Sequence, residues 1–168
     1  MLSIFALASV LACMNTPITI TATPLLPVGK ARFNKAFISL YDASLCANST
    51  PFYFEDNKSK TFALSLEYRR GFTSEQLVKA TIIEMARLSN RKKSEFETLK
   101  TPLAECFPTV KKGDNITGVS IDANSAKFYL NANLSCEIEW ENFQNDFFGI
   151  WLSNDTRSPK KSRRLRGL

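Results

Sequence analysis

The stretch WENFQNDFFGIWLSNDTRSP, residues 140–159, decides how the fold of this chain is closed. Four large apolar residues in it share one helical stripe, at positions i, i+4, i+7 and i+8: Phe143, Phe147, Ile150 and Trp151. A membrane-lying helix would carry bases beside such a stripe, and residues 140–156 contain no Lys or Arg. We therefore expect the stripe to close a hydrophobic core, rather than to serve as a membrane foot or a partner surface. Phe148 falls outside the stripe.

Strand patterns come earlier in the chain. Residues 28–47 are rich in aromatic and β-branched side chains, which indicates either two strands meeting near Asn34–Lys35 or one long bent strand. Residues 61–70 form another strand, because large side chains alternate along it: Phe62, Leu64, Leu66 and Tyr68.

The pattern then changes to helical spacing. Thr73 and Gln76 form a capping box, and apolar residues on one face predict a helix that ends at about Ser89. A second helix is predicted to open at Ser94, with Glu97 as its capping partner.

Three short strands and two helices complete the pattern. The strands are marked by alternating apolar residues, namely Val119 and Ile121, Phe128 and Leu130, and Leu134, Cys136 and Ile138. The core-closing segment follows, and Ser158–Pro159 then begins a last short basic helix. This order predicts an α+β fold, an open-faced antiparallel β-sheet with helices packed on one face.

The charge of the chain is unevenly distributed. The net charge of +6 comes from 22 Lys and Arg against 16 Asp and Glu, and residues 157–168 hold six bases and no acid. Residues 1–156 are therefore electrically neutral. A nucleic-acid binder would carry its positive charge over a folded face, so we expect no nucleic-acid partner.

The chain contains no histidine, which excludes Ser-His-Asp and Cys-His catalysis and His-ligated metals. Cys46, Cys106 and Cys136 lie too far apart in sequence for a zinc or redox motif, so we expect neither a metal nor a cofactor. Two of the three could pair in an exported protein and leave one free, or all could be small core residues.

The N-terminus has the pattern of an export signal. The apolar run Leu2–Ala12 is too short to span a bilayer and is typical of a signal peptide, here residues 1–22 with cleavage near residue 12 or 22. Cys13 after VLA also allows a lipid tether. No other segment reaches the length of a transmembrane helix, so we expect a periplasmic or secreted protein without an integral membrane span.

Five segments in the same order resemble the bacterial chalcone isomerase-like family, whose members are exported and have the open-faced fold of plant chalcone isomerase. They are VGKARFNKAFISLYDASL (28–45), LEYRRGFTSEQL (66–77), CFPTVKKGD (106–114), AKFYLN (126–131) and FFGIWLSNDTRSPKK (147–161). The resemblance implies one chalcone isomerase-like domain over residues 25–166.

The same resemblance argues against chalcone isomerase activity. The enzyme's catalytic arginine has Arg32 as its nearest counterpart, whereas its threonine falls on Ala36. The helical stretch that carries the enzyme's Tyr and Asn is shorter here, and no Tyr lies between Tyr68 and Tyr129. We therefore expect no chalcone cyclisation.

Two functions remain as hypotheses. The first is a non-catalytic binding protein for a small amphipathic or aromatic ligand, because plant members of the superfamily hold fatty acids with an Arg and a Tyr. Arg32 with Tyr41, or Tyr68 with Arg69, are the candidate ligand-binding residues. Equally, the tyrosines could be core-edge aromatics and Arg69 a solvated side chain. The second is an isomerase of the intramolecular lyase type that acts on a phenolic or enone substrate, with Arg32 as the catalytic residue.

Overall fold

The computed structural model describes residues 25–56 and 61–168. Six antiparallel strands form one sheet, and each strand pairs with the next strand along the chain. The strands are β1 (Leu26–Lys35), β2 (Ile38–Ala47), β3 (Phe62–Tyr68), β4 (Asn115–Ser120), β5 (Ser125–Leu130) and β6 (Asn133–Glu139).

Helical segments pack on one face of this sheet. The α-helices of the described part are α1 (Ser74–Ser89), α2 (Lys100–Cys106), α3 (Gly149–Leu152) and α4 (Pro159–Leu165). Two 3₁₀ segments (Phe54–Asp56 and Lys93–Leu99) and one π-helical segment (Gln144–Phe148) complete them. The predicted α+β fold, an open antiparallel sheet with its helices on one face, is confirmed.

Alternating side chains decide which face of the sheet is covered. The large residues of β3 all face the helices and are at most 8% exposed: Phe62, Leu64, Leu66 and Tyr68. Residues 28–47 form two strands rather than one long bent strand. Their turn lies at Ala36–Phe37, slightly beyond the predicted position, and Ala36 adopts a left-handed φ of 51° there.

Local side-chain contacts set the helix starts. The capping box of α1 is present as predicted, since the Thr73 hydroxyl accepts from the Gln76 amide and the Gln76 side chain accepts from the Thr73 amide. The next helical segment starts earlier than predicted, at Lys93. The predicted Ser94 start is wrong, because Glu95 accepts from the Lys92 amide at 2.8 Å. Glu97 instead pairs with the Lys100 ammonium.

The segment quoted at the outset closes the core, as predicted. Phe143, Phe147 and Trp151 are at most 7% exposed. The placement of Phe148 outside the stripe is wrong, because this side chain is completely buried. The covered face is wider than the stripe because the Phe148 ring packs against Phe62 of β3 and Phe128 of β5.

A disulfide joins the helical layer to the edge of the sheet. It links Cys106 at the end of α2 to Cys136 in β6. Cys46 is disulfide-bonded as well, and none of the described cysteines is free. The alternatives of three reduced core cysteines, or of one free thiol beside one pair, are therefore wrong.

The basic C-terminal segment is a docked helix. Pro159 occupies the first turn of α4 as predicted, and Leu165 is fully buried against the core. The helix packs on β1. A side chain at Gly29 would collide with the backbone carbonyls of Arg164 and Leu165, so glycine is what permits this close approach.

Within residues 25–56 and 61–168, no helix combines the length and apolar character needed to cross a bilayer. The predicted signal peptide, residues 1–22, and Cys13 lie outside the described residues.

Candidate functional site

A cavity of about 360 Å³ lies between the sheet and the helical layer. Its sheet side is formed by Leu40, Tyr41, Leu64, Leu66, Tyr68, Ile116, Gly118 and Phe128. Its helix side is formed by Phe72, Gln76, Leu77, Ala80, Thr81, Glu84, Phe107, Phe147, Ile150 and Trp151, with Lys35 completing the lining. The walls are mainly apolar, as is usual for sites that hold small organic molecules.

Helical spacing explains one wall of the cavity, and a glycine explains the shape of the other. The α1 residues Leu77, Thr81 and Glu84 lie at i, i+4 and i+7, so they share one helix face towards the sheet. On the sheet side, a Cβ added at Gly118 would lie 2.8 Å from the Phe128 ring. Glycine therefore lets the Phe128 ring lie directly across the floor of the cavity.

Tyr41 is the central polar residue of the cavity. The Trp151 indole Nε1 donates a hydrogen bond to the Tyr41 hydroxyl oxygen at 3.0 Å, and the Tyr41 ring stacks on Phe33 with centroids 5.3 Å apart. Removal from water raises the pKa of Tyr41 to about 12, and the nearby negative charge of Glu84 also raises it. The phenol is therefore neutral at physiological pH.

Tyr68 lies beside Tyr41. The two rings meet edge to face, with centroids 6.0 Å apart, because the residues are register partners on β2 and β3. Burial raises the pKa of Tyr68 as well. Within residues 25–56 and 61–168 the Tyr68 hydroxyl has no hydrogen-bond partner. The structure thus brings two candidate residues, Tyr41 and Tyr68, together at the cavity.

The candidate arginines lie elsewhere. Arg32 and Arg69 both pair with Asp42, with N–O distances of 2.6 Å and 3.5 Å. Arg32 precedes the core residue Phe33 and Asp42 follows Tyr41, so both point to the opposite face of the sheet. The two arginines do not line the cavity, and the ligand-binding and catalytic roles expected of them stay predictions.

Ala36, the counterpart of the enzyme's threonine, is exposed in the β1–β2 turn and is also absent from the lining.

Two charged lining residues were not among the sequence candidates. Lys35 is exposed and lines the mouth of the cavity. Glu84 has both carboxylate oxygens in ion pairs, with Arg157 at 2.6 Å and Arg87 at 2.9 Å. The helical spacing of Glu84 from Leu77 could have indicated its position. The contact of Tyr41 with Trp151 spans 110 residues, so no local pattern signals it.

The described residues contain no group of three or more Cys, Asp or Glu side chains arranged to hold a metal ion.

Comparison with known proteins supports the architecture described above. The family model described as chalcone isomerase-like matches residues 14–161. Among solved structures, a fatty-acid binding protein from Arabidopsis thaliana has a similar fold, with a TM-score of 0.70 at 10% sequence identity over 90% of this chain and 90% of that chain. A search of curated proteins found no match. The family match covers most of the sequence, and this chain therefore belongs to the chalcone isomerase-like family.

Proposed function

We propose that this protein binds, without catalysis, a small hydrophobic molecule that has one polar end, such as a fatty-acid derivative or an aromatic compound. The observation that carries this proposal is the apolar cavity of about 360 Å³ between the sheet and α1. Its volume lies in the lower part of the range of about 300–1,000 Å³ found for small-molecule sites. The similar fold of the Arabidopsis fatty-acid binding protein adds support.

The polar groups of the cavity favour binding over catalysis. A general base at neutral pH needs a pKa near the working pH. Burial raises the pKa of both Tyr41 and Tyr68, so neither phenol supplies a phenolate under these conditions. Glu84 lies in two ion pairs, with Arg87 and Arg157, which occupy its carboxylate oxygens. What remains are neutral hydrogen-bond donors in an apolar space, and these suit the orientation of a ligand.

We further propose that the protein is exported. The Leu2–Ala12 run motivates this proposal, and the Cys106–Cys136 disulfide supports it, because such bonds persist in oxidising compartments.

Blocking the cavity tests the binding proposal. Ala80 lines the cavity and is exposed, so Ala80→Trp should obstruct the entrance without disturbing the core. We expect the wild-type protein to enhance the fluorescence of the neutral apolar probe N-phenyl-1-naphthylamine and Ala80→Trp to lose most of this effect. Ala104→Trp is the matched control, because Ala104 is equally exposed but lines a groove between α1 and α2. Equal enhancement by both variants would contradict binding in this cavity.

A further inference from the structure

We propose that the polar end of the cavity selects an uncharged oxygen acceptor, such as an ester, ketone or alcohol, over a carboxylate. This inference rests on the proposed function and names the chemical class of its ligand. It concerns the surroundings of Tyr41, where the donors and the charges of the cavity lining meet.

The donors come first. A tyrosine hydroxyl can donate one hydrogen bond and accept others. Trp151 already donates to the Tyr41 oxygen, so the Tyr41 proton remains available, and in the described part of the chain no side chain or carbonyl accepts it. The Tyr68 hydroxyl, on the adjacent strand, is likewise without an acceptor there. Both phenol protons are therefore available to donate to a ligand oxygen.

The charge of Glu84 disfavours an anion at this position. Glu84 lines the same cavity, and its negative charge contributes to the raised pKa of Tyr41 after the larger effect of burial. A carboxylate at the Tyr41 oxygen would meet the same unfavourable potential. Arg87 and Arg157 pair with Glu84 through side chains that are 31% and 63% exposed, whereas the Glu84 side chain is 19% exposed. Glu84 lines the cavity and the two arginines do not, so the charge nearer to a bound ligand is the negative one.

The available cations are poorly placed to offset that potential. Arg32 and Arg69 are paired with Asp42 on the opposite face of the sheet. Lys35 lines the mouth but is exposed, and exposed ion pairs contribute little. A neutral ligand oxygen can accept from Tyr41 and Tyr68 without requiring a compensating cation. The lining thus fits an apolar tail with an uncharged acceptor at its end.

Matched ligands test this inference at pH 8. Displacement of N-phenyl-1-naphthylamine is measured with decanoate, methyl decanoate and 1-decanol on the wild-type protein and on variants. Methyl decanoate and 1-decanol enter any apolar site more readily than decanoate does. The informative comparison is therefore between the wild-type protein and its variants for each ligand. We expect Tyr41→Phe to weaken the ester and the alcohol by about fivefold, the effect of one lost hydrogen bond, and to change decanoate much less. Tyr68→Phe is the second variant, which keeps the test valid if Tyr41→Phe folds poorly.

Removal of the negative charge provides the complementary test. Glu84→Gln should strengthen decanoate binding by about fivefold or more and leave 1-decanol nearly unchanged. Glu97→Gln, on the outer groove, is the control and should change neither. If decanoate bound more tightly than methyl decanoate, and Lys35→Met abolished this preference, the inference would be wrong. The cavity would then bind a ligand whose carboxylate is held at the mouth, and the proposed binding function would stand. No displacement by any ligand would overturn the proposed function as well.

Discussion

Phe148 shows how one residue links the helical layer to the sheet. Its ring meets Phe62 of β3 edge to face at 5.0 Å and stacks parallel to Phe128 of β5 at 6.5 Å. It also packs against Phe147, its neighbour in the π-helical segment. Phe148 is therefore buried through contacts with two strands and with its own segment.

Truncation of Phe148 should therefore be severe. We expect Phe148→Ala to lower the free energy of unfolding by about 3–5 kcal/mol, because a completely buried phenyl ring is replaced by a cavity. Ile150→Ala is the control and should cost less, because Ile150 is only partly buried and lines the cavity. Urea unfolding measures both. A smaller loss for Phe148→Ala than for Ile150→Ala would contradict the packing described.

A buried carboxylate in the same segment sets a pH dependence. Asp146 is 5% exposed, its Oδ2 atom has no hydrogen-bond partner, and the nearest cation is Arg91 at 3.7 Å. Burial raises the pKa of Asp146 from the ordinary value of 3.8 to about 6, against the opposing effect of Arg91. The Asp146 carboxyl therefore stays protonated to a higher pH in the folded state than in the unfolded chain. The stability that it contributes is complete below about pH 4 and is lost as the pH rises through 6.

Asp146→Asn should remove this dependence. We expect the variant to melt at a temperature about 2–4 °C higher than the wild-type protein at pH 7.5 and close to it at pH 4.5. The chain has no histidine, so no imidazole titration obscures this interval. Carboxylates whose pKa is lowered in the folded protein, such as Asp42, stabilise the fold when ionised. They lose this contribution mainly at pH values below this interval. Thermal melts at both pH values provide the measurement, and an equal or larger gain at pH 4.5 would contradict this account.

At the scale of elements, two kinds of contact hold the helical layer over the sheet. The aromatic residues of the π segment and α3 fill the centre, with stacked and edge-to-face rings between Phe143, Phe147 and Trp151. The Cys106–Cys136 disulfide ties the end of α2 to the edge strand β6. The cavity lies between these attachments and α1, so its shape depends on α1 remaining fixed above β3 and β4.

Loss of the disulfide should loosen this attachment. The bond closes a loop with a sequence separation of 30 residues. We expect the double variant Cys106→Ala, Cys136→Ala to lose about 2–4 kcal/mol of unfolding free energy, and urea denaturation measures the difference. Reducing agent should have no further effect at this bond in the double variant. A double variant as stable as the wild-type protein would show that the disulfide is dispensable for the fold.

At the scale of the whole molecule, regular patterns were predictable and long-range geometry was not. Alternation along β3 and the Thr73 capping box identified a strand and a helix, because both depend on residues close in sequence. The burial of Phe148 comes from contacts with Phe62 and Phe128 on distant strands, and helical spacing alone missed it. The cavity is likewise a space between elements, and it has no sequence pattern of its own.

The positions of the candidate site residues were predictable in part, for the same reason, while their roles in binding stay predictions. Tyr41 and Tyr68 lie at the cavity, as alternation in β2 and β3 suggests. Strand periodicity also explains why Arg32 points away, since its neighbour Phe33 faces the core. The pairing of Tyr41 with Trp151 and the position of Lys35 at the mouth required the three-dimensional fold.

Export is a property of the whole chain and is tested separately. Fusion of residues 1–30 to a reporter enzyme that is active only outside the cytoplasm should give activity, because of the Leu2–Ala12 run. A fusion in which this run is interrupted by two lysines is the control and should be inactive. Recovery of a cytoplasmic protein that still begins at Met1 would contradict export.

Anomalous diffraction tests whether the space between the sheet and α1 holds a hydrophobic ligand. Crystals grown with 10-bromo-1-decanol would locate the bromine atom at the tail of a bound ligand. We expect a bromine peak inside the cavity, between Leu77 and Phe128, with the alcohol oxygen near Tyr41. A bromine peak in the outer groove beside Ala104, or no bound ligand at saturating concentration, would contradict it.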